Sequence, residues 1–269
     1  MPVRVYVTGR IRIETGGRLI DEPELPARQG RVLFAYLVCH RQRPVTRTEL
    51  AEILWPGAVP AAWDTALNAL VSKLRGLLKR VEATSRMTLS SAFGTYVLHV
   101  GDETWIDREA AAEAIDQAEA LVRAARWRDA WGPSNIAAIT ARQPFLAGEE
   151  GEWIDAERTQ LRGMLLRALE CLSEIWLLNG EPSLALRSAQ EVIALEPFRE
   201  AGYRRVMRMQ VALGNRAEAL RVYEQCRVLL AKELRTDPSP ETQDVFNEVR
   251  GLRVAGERPM NDNRDTGHD

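Results

Sequence analysis

The sequence predicts a mainly α protein with a small β component, in which a three-helix head carrying short strands precedes a body of repeated helical hairpins. Three observations lead there: strict alternation of apolar residues at the N-terminus, a helix near residue 70 with sharply separated faces, and a 34-residue period in the second half. The 45% hydrophobic content is enough for a core in each of two parts of ordinary domain size.

In the head, Val3, Val5 and Val7 alternate with Arg4 and Tyr6, and Ile11 and Ile13 flank Arg12, which is the period of half-buried strands. Gly16-Gly17 marks a turn before Leu19 and Ile20, so a small antiparallel sheet is expected ahead of the helices. Between Arg28 and His40, the residues Val32, Leu33, Tyr36 and Leu37 share one helical face. Thr46-Arg47-Thr48-Glu49 fits a capping box, in which the Thr46 hydroxyl and the Glu49 carboxylate satisfy amides at a helix start. The short helix beginning there must stop at Pro56. Gly57 and Pro60 make a tight connection, and Pro60 suits the first turn of the next helix, where its missing N–H costs nothing. Thr88 to Val100 alternates loosely around Ser90-Ser91-Ala92-Phe93-Gly94, a hairpin with Gly94 at its turn. Helix, short turn, longer helix and hairpin together describe a winged helix-turn-helix.

The longer helix, Pro60 to Arg80, carries the functional signal. At about 100° per residue, Trp63, Leu67, Leu70, Leu74, Leu77, Leu78 and Val81 fall on one side. Asn68, Ser72, Arg75 and Lys79 form a narrow row roughly 140° away, and that row contains no acid. Asn and Arg present paired donors and acceptors that match base edges in a major groove, and Ser and Lys reach bases or phosphates. A solvated polar face on an ordinary amphipathic helix is the alternative reading of the same pattern.

Charge is distributed in keeping with a nucleic-acid-facing head. Residues 1–100 hold 14 Lys or Arg against 8 Asp or Glu, a net of +6, whereas the remainder holds 22 against 30, a net of −8. No run approaches the roughly 20 apolar residues of a membrane span, and Met1-Pro2-Val3-Arg4 does not open a signal peptide. A cytoplasmic, nucleoid-associated location with no membrane partner is expected. Cys39, Cys171 and Cys226 form no CxxC pair and read as small apolar core residues of a reducing compartment. Three histidines, His40, His99 and His268, have no metal-binding spacing, and no phosphate-cradling loop or nucleophile elbow occurs, so neither enzyme activity, nor a cofactor, nor a metal is expected. Cys39 and His40 are neighbours on a helix and point apart, which excludes them as a nucleophile and base pair. The tryptophans Trp105, Trp127, Trp131, Trp153 and Trp176 fall in helical contexts and read as core or domain-interface residues.

From about Trp105 the pattern is almost uninterrupted helix. Gly180 matches Gly214 and Ala185 matches Ala219, both 34 residues apart, which is the tetratricopeptide period. The glycine ends one helix, the alanine lets its partner approach, and Pro197 closes the first unit; the second continues through Leu234 and reaches a proline only at Pro238. Gly132-Pro133-Ser134-Asn135 and Gln143-Pro144 are expected to break the helical rhythm, capping the array or packing against the head. From Arg253 onward Gly, Pro, Asn and charges predominate without apolar period, as in a disordered tail. The domain division is 1–101, 102–252 and a tail at 253–269.

The ordered set Leu25-Pro26-Ala27-Arg28-Gln29, Glu49-Leu50-Ala51-Glu52-Ile53-Leu54-Trp55, Val71-Ser72-Lys73-Leu74-Arg75, and Pro144-Phe145-Leu146-Ala147-Gly148 with Trp153 and Arg158 resembles the Streptomyces antibiotic regulatory protein family. Glu233-Leu234 leading to Pro238-Ser239-Pro240-Glu241-Thr242 extends the resemblance, which covers roughly residues 3–252 and makes the chain similar to the family's short members. It implies an OmpR-type winged helix joined to a bacterial transcriptional activation domain with tetratricopeptide-like helices. It implies, too, an activator that binds direct repeats in double-stranded promoter DNA, recruits RNA polymerase holoenzyme and switches on an antibiotic or other secondary-metabolite gene cluster, with two copies of the chain side by side as a homodimer. By that resemblance Thr65, Asn68, Ser72, Arg75 and Lys79 read bases. Arg41, Arg43, Arg47, Lys73, Arg80 and Arg86 reach phosphates. The loop Trp55, Pro56, Gly57, Ala58, Val59 and Pro60 touches polymerase, with Trp55 equally suited to plugging the core. The hairpin tip lacks the arginine that would seek a minor groove, so Ser91 and Thr95 are expected to touch only backbone. A helical-repeat adaptor without DNA binding and a repressor using the same contacts remain open alternatives.

Overall fold

The computed structural model describes residues 3–81 and 86–251, and the tail expected from residue 253 lies outside them. Alternation at the N-terminus makes three strands, β1 (Arg4–Tyr6), β2 (Arg12–Thr15) and β3 (Arg18–Asp21), paired antiparallel with Val5 opposite Ile13 and Ile13 opposite Ile20. Val5, Val7, Ile11, Ile13 and Ile20 are buried, as the period of two requires. Three helices come next: α1 (Ala27–Cys39), α2 (Arg47–Leu54) and α3 (Trp63–Lys79). The two-residue strand β4 (Val45–Thr46) joins β5 (Thr88–Ala92) and β6 (Thr95–His99) in a second sheet of order β4-β6-β5, and β7 (Trp105–Ile106) adds to the first sheet parallel to β1. Trp105 is therefore a strand residue, set edge-on to Tyr6 at 5.3 Å, and the helical context expected for it is corrected.

Two compact units emerge from the described residues, divided between Ile175 and Trp176. In the first, α4 (Asp107–Arg123) and α5 (Trp127–Ala141) form a hairpin whose seam is nearly all alanine: Ala111, Ala114, Ala118, Ala130, Ala137, Ala138 and Ala141 are buried. The expected break at Gly132-Pro133 does not occur. Pro133 lies inside α5, and neighbouring side chains bond back to the preceding turn, Ser134 Oγ to the Ala130 carbonyl and Asn135 Nδ2 to that of Trp131, each at 2.8 Å. Packing of the alanine face against α4 outweighs the roughly 3 kcal/mol a helical proline costs. Trp131, expected at a core or domain interface, is 46% exposed.

Gln143-Pro144 does end α5, and the segment from Pro144 to Arg158 clamps the head. Gly9 N donates to Pro144 O at 2.7 Å, Thr8 bridges to Phe145, and Phe145 and Leu146 enter the same core as α1, α2 and α3. Glu149 is buried, receiving Arg28 Nε at 2.5 Å and Arg31 Nη2 at 2.9 Å. Arg158, on α6 (Glu152–Leu178), donates to the carbonyls of Phe145, Leu146 and Glu149. Trp153 packs edge-on to Tyr36 and Phe145 at 4.7 and 5.5 Å. Covered from this side as well, α1 buries every residue from Val32 to Val38, and the one-faced helix expected there is buried all round. Asp107 is a second tie, its buried carboxylate accepting from Val7 N, Thr8 N, Thr8 Oγ1 and Arg108 N. Burial pushes its carboxyl up, against the pull of those four donors.

The second unit contains α7 (Pro182–Leu195), α8 (Glu200–Ala212), α9 (Arg216–Leu234) and α10 (Pro240–Gly251). Its repeat is real in three dimensions: Gly180 and Gly214 each adopt φ of 77°, and Ala185 and Ala219 are each fully buried. A left-handed residue lets each chain turn out of one helix into the next, and the alanine admits close helix contact.

Replacing Trp153 with alanine is expected to destabilise the first unit by about 3 kcal/mol, read as a lowered urea midpoint. A second expectation concerns Glu49, whose carboxyl is held at about 2, below its ordinary 4.5, chiefly by the Arg43 guanidinium. A depressed pKa contributes stability above the unfolded value, lost as pH falls towards 2. Glu49→Gln should therefore melt lower than the parent at pH 6, with the gap closing on acidification in a series of thermal melts.

Candidate nucleic-acid interface

The capping box at α2 forms as its residues dictate, Glu49 N bonding Thr46 Oγ1 at 3.1 Å while the Glu49 carboxylate accepts from Thr46 N. The same carboxylate receives the Tyr36 hydroxyl and Arg43 Nη1 at 3.1 Å, which locks α2 to α1. Beyond half-buried Trp55, which packs on the core, Pro56 through Ala62 are all exposed and Gly57 turns at φ 84°. Pro60 stands before α3 rather than in its first turn, its carbonyl accepting from Trp63 N at 3.0 Å, because a separate turn at residues 61–62 precedes the helix.

Along α3, Leu67, Leu70, Val71, Leu74, Leu77 and Leu78 are buried, while Thr65, Asn68, Ser72, Lys73 and Lys79 are exposed. Arg75 is half-buried. Its Nε donates to the Leu89 carbonyl and its Nη2 to Ser91 Oγ, both at 2.9 Å, so it fastens α3 to strand β5 and leaves Nη1 for another partner. Arg47 reaches across the start of α3: its guanidinium bonds the Asp64 carboxylate, Asn68 Oδ1 at 3.1 Å and the Tyr96 hydroxyl at 2.6 Å. Asn68 Nδ2 also donates to Asp64 at 3.3 Å. A groove of about 480 Å³ results, bringing together Arg47, Asn68, Ser72, Arg75, Ser91 and Thr95 with the hairpin turn. Thr65, Lys73, Lys79 and Arg86 are exposed outside its walls.

Several expected phosphate ligands have protein partners. Arg41 makes two bonds to Glu109, at 3.0 and 2.5 Å, Arg43 pairs with Glu49, and Arg80 with Glu24 at 2.7 Å. Ser91 accepts from Arg75, and Thr95 Oγ1 donates to the Ala92 carbonyl at 2.8 Å. Lys73, Lys79 and Arg86 have no ion pair among the described residues. Of the acids that hold these arginines and Arg47, Glu49 was expected only as a helix cap, and Asp64, Glu109 and Glu24 were not singled out by sequence reasoning. Asp64 had a local signal, lying four residues before Asn68 on the helix, but Glu109 and Glu24 had none. Burial pushes the Cys39 thiol up to about 12, away from the thiolate form. Among the described residues no cluster of His, Cys, Asp and Glu could hold a metal, and no helix is long and apolar enough to cross a membrane.

The family model described as "Bacterial transcriptional activator domain" matches residues 106–250. The chain belongs to that family. Regulatory protein AfsR of Streptomyces griseus is similar, 27% identical over 247 residues, covering 92% of this chain and 24% of that protein. Transcriptional regulator RedD of Streptomyces coelicolor is 26% identical over 244 residues, covering 88% of this chain and 67% of that protein. In fold, the chain resembles Mycobacterium tuberculosis EmbR, solved in complex with a low affinity phosphopeptide, with a TM-score of 0.79 at 20% identity, covering 92% of this chain and 65% of that one. The chain spans about a quarter of the length of the AfsR proteins it matches. A winged helix followed by an activator domain is the architecture of Streptomyces antibiotic regulatory proteins, and this transcriptional-regulator family is not one of enzymes.

If Arg75 fastens the hairpin to α3, Arg75→Lys should loosen β5 without unfolding the head, at a cost of about 1 kcal/mol. Hydrogen exchange should quicken at β5 and β6 while α1 keeps its protection.

Proposed function

We propose that the chain is a sequence-specific activator that lays α3 in the major groove of promoter DNA, binding direct repeats as two copies side by side and recruiting RNA polymerase. The observation that carries this reading is the acid-free edge of α3, with Thr65, Asn68, Ser72 and Lys79 exposed and half-buried Arg75 bracing it to a hairpin on a helix-turn-helix head. Asn68, Ser72, Thr65 and Lys79 read bases, and Arg75 does so through Nη1 while its other nitrogens hold the hairpin. Lys73 and Arg86, exposed and without an ion pair among the described residues, take phosphates first. Arg47, Arg41, Arg43 and Arg80 join them by exchanging a carboxylate for a phosphate, with Ser91 and Thr95 on the backbone. Exposure of Pro56–Pro60 beside half-buried Trp55 supports this loop as the polymerase contact. Residues 1–101 act as the DNA-binding domain and 102–252 as the activation domain, working in the cytoplasm at the nucleoid on a biosynthetic gene cluster.

A mobility-shift series on the upstream region of the neighbouring operon tests the reading, with random duplex as control. Affinity should fall steeply with salt, each neutralised phosphate contributing about −0.9 to the slope of log K against log salt. Asn68→Ala or Arg75→Ala should lose about 1–3 kcal/mol on the specific site and relax one base position, whereas Lys73→Ala should weaken all sequences alike and reduce the slope by about 1. Equal losses on specific and random DNA for all three would refute these roles. No shift at all would favour an adaptor, and a fall in transcription with purified polymerase a repressor.

A further inference from the structure

The tip of the β5–β6 hairpin is built against its own stability. Two-residue turns of this kind require positive φ at both central positions, which is why Asn-Gly and Gly-Gly occupy them so often. Here they are Phe93 at φ 50° and Gly94 at φ 73°. A bulky residue in that region is a backbone outlier, and the ring gains no burial in exchange. Phe93 is 104% exposed, more than any other large apolar residue described.

The tip is also held firmly. Gly94 O accepts from Arg47 N at 3.1 Å, Thr95 Oγ1 closes on Ala92 O, and Arg75 pins β5 to the reading helix. Phe93 lines the same groove as Arg47, Asn68, Ser72 and Arg75, and no acid occurs from Arg86 to His99. The surroundings thus suit a polyanion, yet a phenyl ring has no donor for a phosphate. What it offers duplex DNA is a wedge, since apolar side chains entering a minor groove unstack a base step and kink the helix.

We propose that Phe93 inserts between base pairs in the minor groove beside the major groove filled by α3, and that the protein bends its site there. The inference rests on the reading of α3 as the DNA-facing helix, and adds a second source of specificity. Pyrimidine–purine steps, which unstack most readily, are favoured under Phe93 although the ring makes no hydrogen bond to them.

The test uses the full chain and duplexes it selects from a random-sequence library, with bending read from circularly permuted fragments on gels. The parent should bend its sites by roughly 20–90°, and the selected sites should carry a TA or CA step at a fixed distance from the bases read by α3. Phe93→Asn places a favoured residue in the turn, so it should melt no lower than the parent, yet bind about tenfold more weakly and bend little. Binding by the parent without a bend, or a Phe93→Asn protein that bends its site as the parent does, overturns the inference and leaves the DNA-binding reading standing. Failure of the parent to select any duplex overturns both.

Discussion

One buried carboxylate organises the first unit. Glu149 sits beneath the start of α6 and accepts from Arg28 and Arg31 on α1, and the surrounding turn is held in place by three carbonyl bonds from Arg158. Around this polar knot the rings of Tyr36, Phe145 and Trp153 fill the space over α1. The winged helix is therefore no free bead on a linker. Residues 144–161 complete its core, and the domain division legible from composition at residue 101 is crossed by the packing.

This arrangement decides which surface of the head remains for a partner. Elements of the first unit cover α1 on every side, and the apolar face of α3 is spent on the core. The polar edge of α3, the hairpin and the loop before Trp63 are left exposed. Electrostatics there is tempered: Arg47 leans on Asp64 and Arg43 on Glu49. Exposed pairs of this kind are worth about 0–1 kcal/mol, so exchanging Asp64 for a phosphate oxygen costs little, and the same acid weakens attraction to indiscriminate sequence. Glu49 differs, because it also caps α2 and bonds Tyr36, and it keeps both roles when Arg43 turns to a phosphate.

Much of this was legible in the sequence because it is local. The capping box spans four residues, the faces of α3 derive from helical period, and the Gly180–Gly214 repeat survives into matching backbone angles. What escaped is long-range. Arg47 and Asp64 are 17 residues apart, Arg41 and Glu109 68, and Arg28 and Glu149 121, so no window connects them. Strands β4 and β7, two residues each, carry too little pattern to alternate. Pro133 misled for another reason: local propensity argued for a break, and the alanine seam between α4 and α5 overrode it. The polar row of α3 was visible, but the half-burial of Arg75 was not, since its partners lie on a hairpin that sequence separates from the helix.

The central claim is that the acid-free edge of α3 lies against base pairs. Attaching a DNA-cleaving iron chelate to a cysteine placed at Ser72, an exposed position at the middle of that edge, tests it most directly. The account predicts strand cuts clustered in the major groove at the centre of each protected half-site, offset as major-groove cleavage requires. Protection of the site with no cuts, or with cuts only beyond its margins, would mean that another surface holds the DNA and would contradict the account.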